Sequence, residues 1–297
     1  MDREPADSAV QPPFSTNSPS KTFPSLYKIV KPLSSFANEH PKIVFLFLGL
    51  AVASTAWAQK DPAQTAWIES YEPLTHENMP YRLMKPLGYD ANKLYPVIVS
   101  LHGGGGRGND NLKQLKVWNQ QLAQRELREK FPTYVLAPQS DHLWDADHLA
   151  QIKAIIANLP SVNSDRIYML GHSMGGHGTN ILIQLDPNYF AAIAPSAGTG
   201  RTDDEDFIEA TIIKDVPTWA FHGDQDTVCP YKPQETLFKE MQKLGGNMKL
   251  TTWIGDMHGV SGKFIHGAKN GITQLSSDRC DPEPDFMTWL FKQSRSK

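Results

Sequence analysis

The chain of 297 residues carries 29 Lys and Arg against 32 Asp and Glu, a net charge of −3. Hydrophobic residues make up 40% and charged residues 21%, the balance of a globular protein, and the length admits one large or two small domains. A near-neutral charge without a basic block excludes a dedicated nucleic-acid binder. The ten histidines are scattered and no metal-ligand cluster stands out, while Cys229 and Cys280 lie far apart in sequence.

Residues 1–41 are rich in Ser and Pro and lack apolar periodicity, so they read as a disordered N-terminal extension. Residues 42–58 read as a signal peptide: Lys42, an apolar run from Ile43 to about Ala53, and an Ala56-Trp57-Ala58 cleavage site. The run is shorter than the roughly 20 apolar residues of a membrane span. The expectation is a secreted or periplasmic protein cleaved near Ala58, with no stable membrane association afterwards. A membrane anchor is the alternative. The lead-in exceeds the usual span of roughly 15–30 residues before a cleavage site, which points to a start downstream of Met1 or to a long n-region. In an oxidising compartment Cys229 and Cys280 can pair; the sequence leaves a bridge and two free thiols equally open.

Residues 59–297 read as one domain. Apolar runs predict strands at 95–103, 133–139, 166–173, 190–198, 218–224 and 249–256, most of them continuously apolar, as in strands covered on both faces. Helical patterns lie between them at 149–159, 174–185, 233–244 and 285–293. Residues 81–89 add an antiparallel strand at the start. The order predicts an α/β fold, a mostly parallel central sheet with helices on both faces. In such sheets, sites form beyond the carboxyl ends of the strands.

Three motifs lie at such ends. Gly171-His172-Ser173-Met174-Gly175 is a G-x-S-x-G elbow between a strand and a helix. Ser173 becomes a nucleophile there, with the Met174 amide at the helix N-terminus placed for an oxyanion. The competing reading is a tight turn with a bystander serine. "LHGGGGRGND" (101–110) follows a buried strand and offers a second oxyanion N–H from Gly104 first and Gly105 second. A phosphate loop is the rival there, but no Gly-Lys-Ser/Thr follows. His102 reads as support beneath this loop, and Arg107 with Asp110 as a bracing or a solvated pair. "AFHGDQDTVCP" (220–230) offers Asp224 and Asp226 as the acid, and the loop after the last strand offers His258 and His266 as the base. His172 points away from its neighbour on so sharp a turn, and His177 and His222 read as structural.

These segments resemble the α/β-hydrolases. The best match is the secreted esterase and predicted-peptidase branch related to polyhydroxybutyrate depolymerases and feruloyl or acetylxylan esterases. The resemblance runs through "LHGGGGRGND", "NSDRIYMLGHSMGGHGTN", "FAAIAPSAG", "PTWAFHGDQDTVCP" and "FMTWLFKQ", from residue 81 to 293. It implies Asp226 as the acid in an H-G-x-x-D pattern, His258 as the base, and Asp224 as a turn cap.

The expected chemistry is acyl transfer from a carboxylic ester by Ser173, Asp226 and His258, without metal or cofactor. Fewer than twenty residues separate the strands ending near Gly198 and starting near Pro217, which leaves room for a minimal cap with one short helix. An open site suits bulky substrates, such as polysaccharides carrying acetyl or feruloyl esters. Trp144 is a candidate substrate-binding residue at the rim, with a core position as the alternative. A serine peptidase is the runner-up, although its usual extra recognition domain is not evident. A non-catalytic binding protein on the same scaffold comes third.

Overall fold

The computed structural model describes residues 65–200 and 208–295. All of these lie in one compact unit, Ala58–Lys297. The expectations for residues 1–58, and the acidic start of the cap at 201–207, fall outside the described residues.

Among the described residues nine strands form one sheet in the order β1-β2-β4-β3-β5-β6-β7-β8-β9. They are β1 (Glu72–His76), β2 (Met79–Met84), β3 (Tyr95–Leu101), β4 (Tyr134–Pro138), β5 (Val162–His172), β6 (Ala192–Ser196), β7 (Thr218–Gly223), β8 (Met248–Trp253) and β9 (Gly271–Leu275). Strands β3 to β8 run parallel, while β1, β2 and β9 pair antiparallel at the two edges. Among the described residues seven α-helices flank them: α1 (Val117–Leu122), α2 (Arg125–Lys130), α3 (Ala146–Ala157), α4 (Met174–Leu185), α5 (Ala210–Ile213), α6 (Tyr231–Lys243) and α7 (Phe286–Lys292). This is the α/β architecture that the alternating pattern predicts.

The continuously apolar strands have a physical cause in the two cores. Side chains alternate across a strand. Val97, Val99 and Leu101 of β3 pack with Leu149, Ile152, Leu182 and Leu237 of α3, α4 and α6. Ile98 between them packs on the opposite face with Trp118, Leu122, Trp289 and Leu290 of α1 and α7. Each strand is therefore apolar at consecutive positions rather than at every second one.

The elements missed in the sequence are the amphipathic pieces. β9 is mostly exposed, and β1 has no buried residue. The short α1 and α2 show little periodicity, and α2 buries no residue fully. Within the described part of the cap, α5 is a single turn. Among the described residues, no helix is long and apolar enough to cross a membrane.

Candidate active site

The parallel strands place β3, β5, β7 and β8 with their carboxyl ends on one edge of the sheet. Ser173 sits between β5 and α4 with φ 59° and ψ −121°, a left-handed φ that non-glycine residues rarely adopt. The surroundings hold it there. Its N–H donates to the Ser196 carbonyl at 2.8 Å, and its carbonyl accepts from the His177 N–H at 2.9 Å. The flanking glycines are steric requirements. A Cβ on Gly175 would overlap the Leu101 carbonyl, and one on Gly171 would overlap the Gly175 backbone.

Ser173 Oγ lies 2.9 Å from His258 Nε2, and His258 Nδ1 lies 2.8 Å from Asp226 Oδ2. With Nδ1–H donating to the carboxylate, Nε2 keeps a lone pair for the serine hydroxyl. Asp226 is buried, and its other oxygen accepts from the Val228 N–H at 2.9 Å and the Cys229 N–H at 3.0 Å. Burial opposes the charge on Asp226, but the His258 contact and these two amides outweigh it and hold the carboxyl below its ordinary range. The acid therefore stays ionised opposite the imidazole.

The glycine loop packs on the serine. Gly103 lies against it: a Cβ there would come 3.2 Å from Ser173 Cβ and 3.0 Å from the His172 carbonyl oxygen. Gly104–Gly106 then make one 3-10 turn, closed by Gly106 N–H donating to Gly103 O at 2.8 Å. The first N–H groups of such a turn, on Gly104 and Gly105, have no carbonyl behind them to bond. Met174, the first residue of α4, is in the same position.

His102 secures this loop from below. Fully buried, it accepts the Ser140 N–H on Nε2 at 3.0 Å, which leaves Nδ1–H to donate to Gly103 O at 2.8 Å. Burial pushes its pKa down to about 4 and keeps it neutral. The bracing expected from Arg107 and Asp110 takes another form. Arg107 Nε donates to the Gly104 carbonyl at 3.3 Å, while Asp110 pairs with Lys113 at 3.0 Å and accepts from Gln139.

The other candidates separate clearly. Asp224 accepts the Gly255 N–H at 2.7 Å and ties the β7 turn to the β8 turn. His266 is exposed and does not contact the serine–histidine–aspartate chain. His172 Nδ1 lies 3.1 Å from Ser196 Oγ, and its ring stands 4.9 Å from that of His258. His222 donates from Nε2 to the Cys229 carbonyl at 2.8 Å, behind Asp226. His177 accepts the Gly200 N–H on Nδ1 and lies 3.6 Å from Cys229 Sγ on Nε2.

Trp144 is not at the rim. It is 2% exposed, packs against His102 and His148, and donates its indole N–H to the His102 carbonyl at 3.3 Å. Gly178 leaves the space it occupies, because a Cβ there would meet the indole. Strand-end position alone does not distinguish a rim aromatic from a buried one. Cys229 and Cys280 are both free thiols, and Cys280 is buried against Ser276 and the Met248 carbonyl.

Residues 116–263, a stretch that includes the serine, the acid and the base, match the model of the Dienelactone hydrolase family. The chain has the α/β-hydrolase fold. A thermostable esterase is similar at 28% identity with a TM-score of 0.61, covering 77% of this chain and 64% of its own. The acylaminoacyl peptidase of Pyrococcus horikoshii shares the fold at 16% identity and a TM-score of 0.51, over 67% of this chain and 39% of that one. The feruloyl esterase module from Clostridium thermocellum, solved with sinapinate, shares it at 18% identity and a TM-score of 0.50, over 63% and 81%. The chain thus spans less than two thirds of the length of the first two. No curated protein matches it in sequence.

Proposed function

We propose that the protein is a serine hydrolase of carboxylic esters, with Ser173 as nucleophile, His258 as base and Asp226 as acid. The unbroken hydrogen-bonded path from Ser173 Oγ through His258 to Asp226 carries this reading. His258 Nε2 takes the serine proton as Oγ attacks the ester carbonyl. Asp226 holds the tautomer and stabilises the imidazolium that forms. The carbonyl oxygen becomes an oxyanion, bound by the amides of Met174 and Gly104, with Gly105 as the next donor along. The alcohol leaves with a proton returned by His258, and water then hydrolyses the acyl-enzyme by the same steps in reverse roles.

For the substrate we propose esters carried on polysaccharide, acetyl or feruloyl, supported by the short cap around α5 and by the secretion signal read at residues 42–58. A serine peptidase with the same three residues is the alternative. Ser173→Ala and His258→Ala should each lower kcat on an aryl acetate by about 10⁴-fold or more with the melting temperature retained. A fluorophosphonate probe should label Ser173 alone. Full activity in either variant would overturn the assignment, and absence of the adduct would favour a binding protein. Peptide anilides cleaved faster than feruloylated or acetylated sugars would make it a peptidase. N-terminal sequencing of the exported chain should begin at Gln59; a mature chain retaining Ile43 would mean an anchor.

A further inference from the structure

Behind the oxyanion loop, where β4 leads into α3, three side chains meet that the serine chemistry does not use. His142 Nε2 lies 3.2 Å from Asp145 Oδ2, and His148 Nδ1 lies 2.7 Å from Asp145 Oδ1. The two imidazole rings are 4.7 Å apart, and one nitrogen from each lies within 4.8 Å of the other and of the carboxylate. We propose that His142, Asp145 and His148 form a binding site for a divalent transition metal of the zinc class.

The donor set selects the metal. Two imidazoles and one carboxylate suit zinc and its neighbours, whereas calcium and magnesium favour all-oxygen sites. Zinc bonds of about 2.0–2.2 Å in a tetrahedron put ligand atoms roughly 3.3 Å apart. Both Asp145–His separations are already within an ångström of that edge. The remaining movement falls to His142, whose side chain is 62% exposed.

The outer contacts are those of a metal-binding histidine. The far nitrogen of His142, Nδ1, is held by the Asp141 carboxylate, which fixes the tautomer that leaves Nε2 free to ligate. His148 is anchored differently. It is buried, its ring meets Trp144 edge to face at 5.1 Å, and its backbone N–H donates to Asp145 Oδ1 at 3.1 Å. His148 Nδ1 lies 2.7 Å from Asp145 Oδ1 and accepts the Asp145 backbone N–H at 3.3 Å, and it is this lone pair that the cation takes over. A cavity of about 170 Å³, lined by these histidines with Asp147, Gln151 and Asn109, gives room for water as fourth ligand.

The site bears on the oxyanion loop through two contacts. Ser140 N–H binds His102 Nε2, and the Trp144 indole spans from His148 to the His102 carbonyl. A metal joining the 140–145 loop to α3 stiffens that support.

Titration of the chelator-stripped full-length protein with zinc chloride, by calorimetry, tests the site. One equivalent should bind with a rise in melting temperature, and magnesium chloride should not compete. His142→Ala, at an exposed side chain, should lower zinc affinity by about 100-fold, and Asp141→Asn by about 10–100-fold. Both should keep the melting temperature of the metal-free wild type. Zinc binding unchanged in His142→Ala, no stoichiometric binding to the wild type, or equal binding of magnesium would each overturn the proposal.

Discussion

At the scale of single residues, Asp226 divides its work between its two oxygens. One accepts from His258 and the other from the amides of its own turn, so the charge is held in place from both sides. Asp226→Asn disrupts the tautomer of His258 and should lower kcat on an aryl acetate by about 10⁴-fold. The Asp224 carboxylate accepts the Gly255 amide in the neighbouring turn, and Asp224→Asn should cost less than about tenfold. The reverse order would move the acid to Asp224. Either aspartate can end β7 in the sequence; what separates them is the direction of the side chain, which spacing does not encode. Trp144 teaches the same point. Trp144→Ala opens a cavity in a buried cluster and should remove about 3–5 kcal/mol of stability in urea unfolding, with the KM of the surviving enzyme unchanged. A raised KM at full stability would return it to the rim.

Elements decide which backbone groups face the substrate. Gly104 is the first residue of its 3-10 turn, where proline is tolerated, and Gly103 before it is extended at φ −79° and ψ −179°, as a residue preceding proline must be. Gly104→Pro should therefore fold and yet lose the amide proposed to receive the oxyanion. The expected loss is about 10²–10³ in kcat, read against Gly104→Ala, which has space around its Cβ and keeps the N–H. Equal activity in both variants would pass the role to Gly105. The buried strands, the elbow and α4 were legible because continuous apolar runs and glycine spacing leave few other folds. β1 and β9 were not, since their partly or wholly exposed faces give no apolar signal. The His142–Asp145–His148 group was hidden for another reason. Its spacing of three runs from a loop into the first turn of α3, so no single periodicity marks the three as neighbours.

For the whole molecule, acid is the stress the fold resists least. His102 and His172 have pKa values pushed down by burial to about 4 and about 3, and burial lowers His177 and His222 as well. In the unfolded chain these groups titrate near 6.5. Between the two values the unfolded state takes protons that the folded state refuses, so stability is complete above about pH 6.5 and falls as pH drops. His102 alone should cost about 2 kcal/mol at pH 5 relative to pH 7. Urea unfolding at pH 7.5 and pH 5 measures the loss, and equal midpoints at both would contradict neutral burial of these rings.

The sheet also has a seam. The ladder between β7 and β8 runs in register from Thr218 with Met248 to Gly223 with Trp253, whereas that between β6 and β7 registers Ile193 with Thr218 and Ser196 with Phe221. The serine elbow and the glycine loop stand on one side of this sparse ladder; the aspartate and histidine turns stand together on the other. The reacting atoms thus face each other across the junction of β6 and β7, where the Ile193 N–H reaches the Pro217 carbonyl at 3.0 Å and the Ala197 N–H the Phe221 carbonyl at 2.8 Å. A parting there would lengthen the 2.9 Å contact between Ser173 Oγ and His258 Nε2 while each turn kept its own geometry.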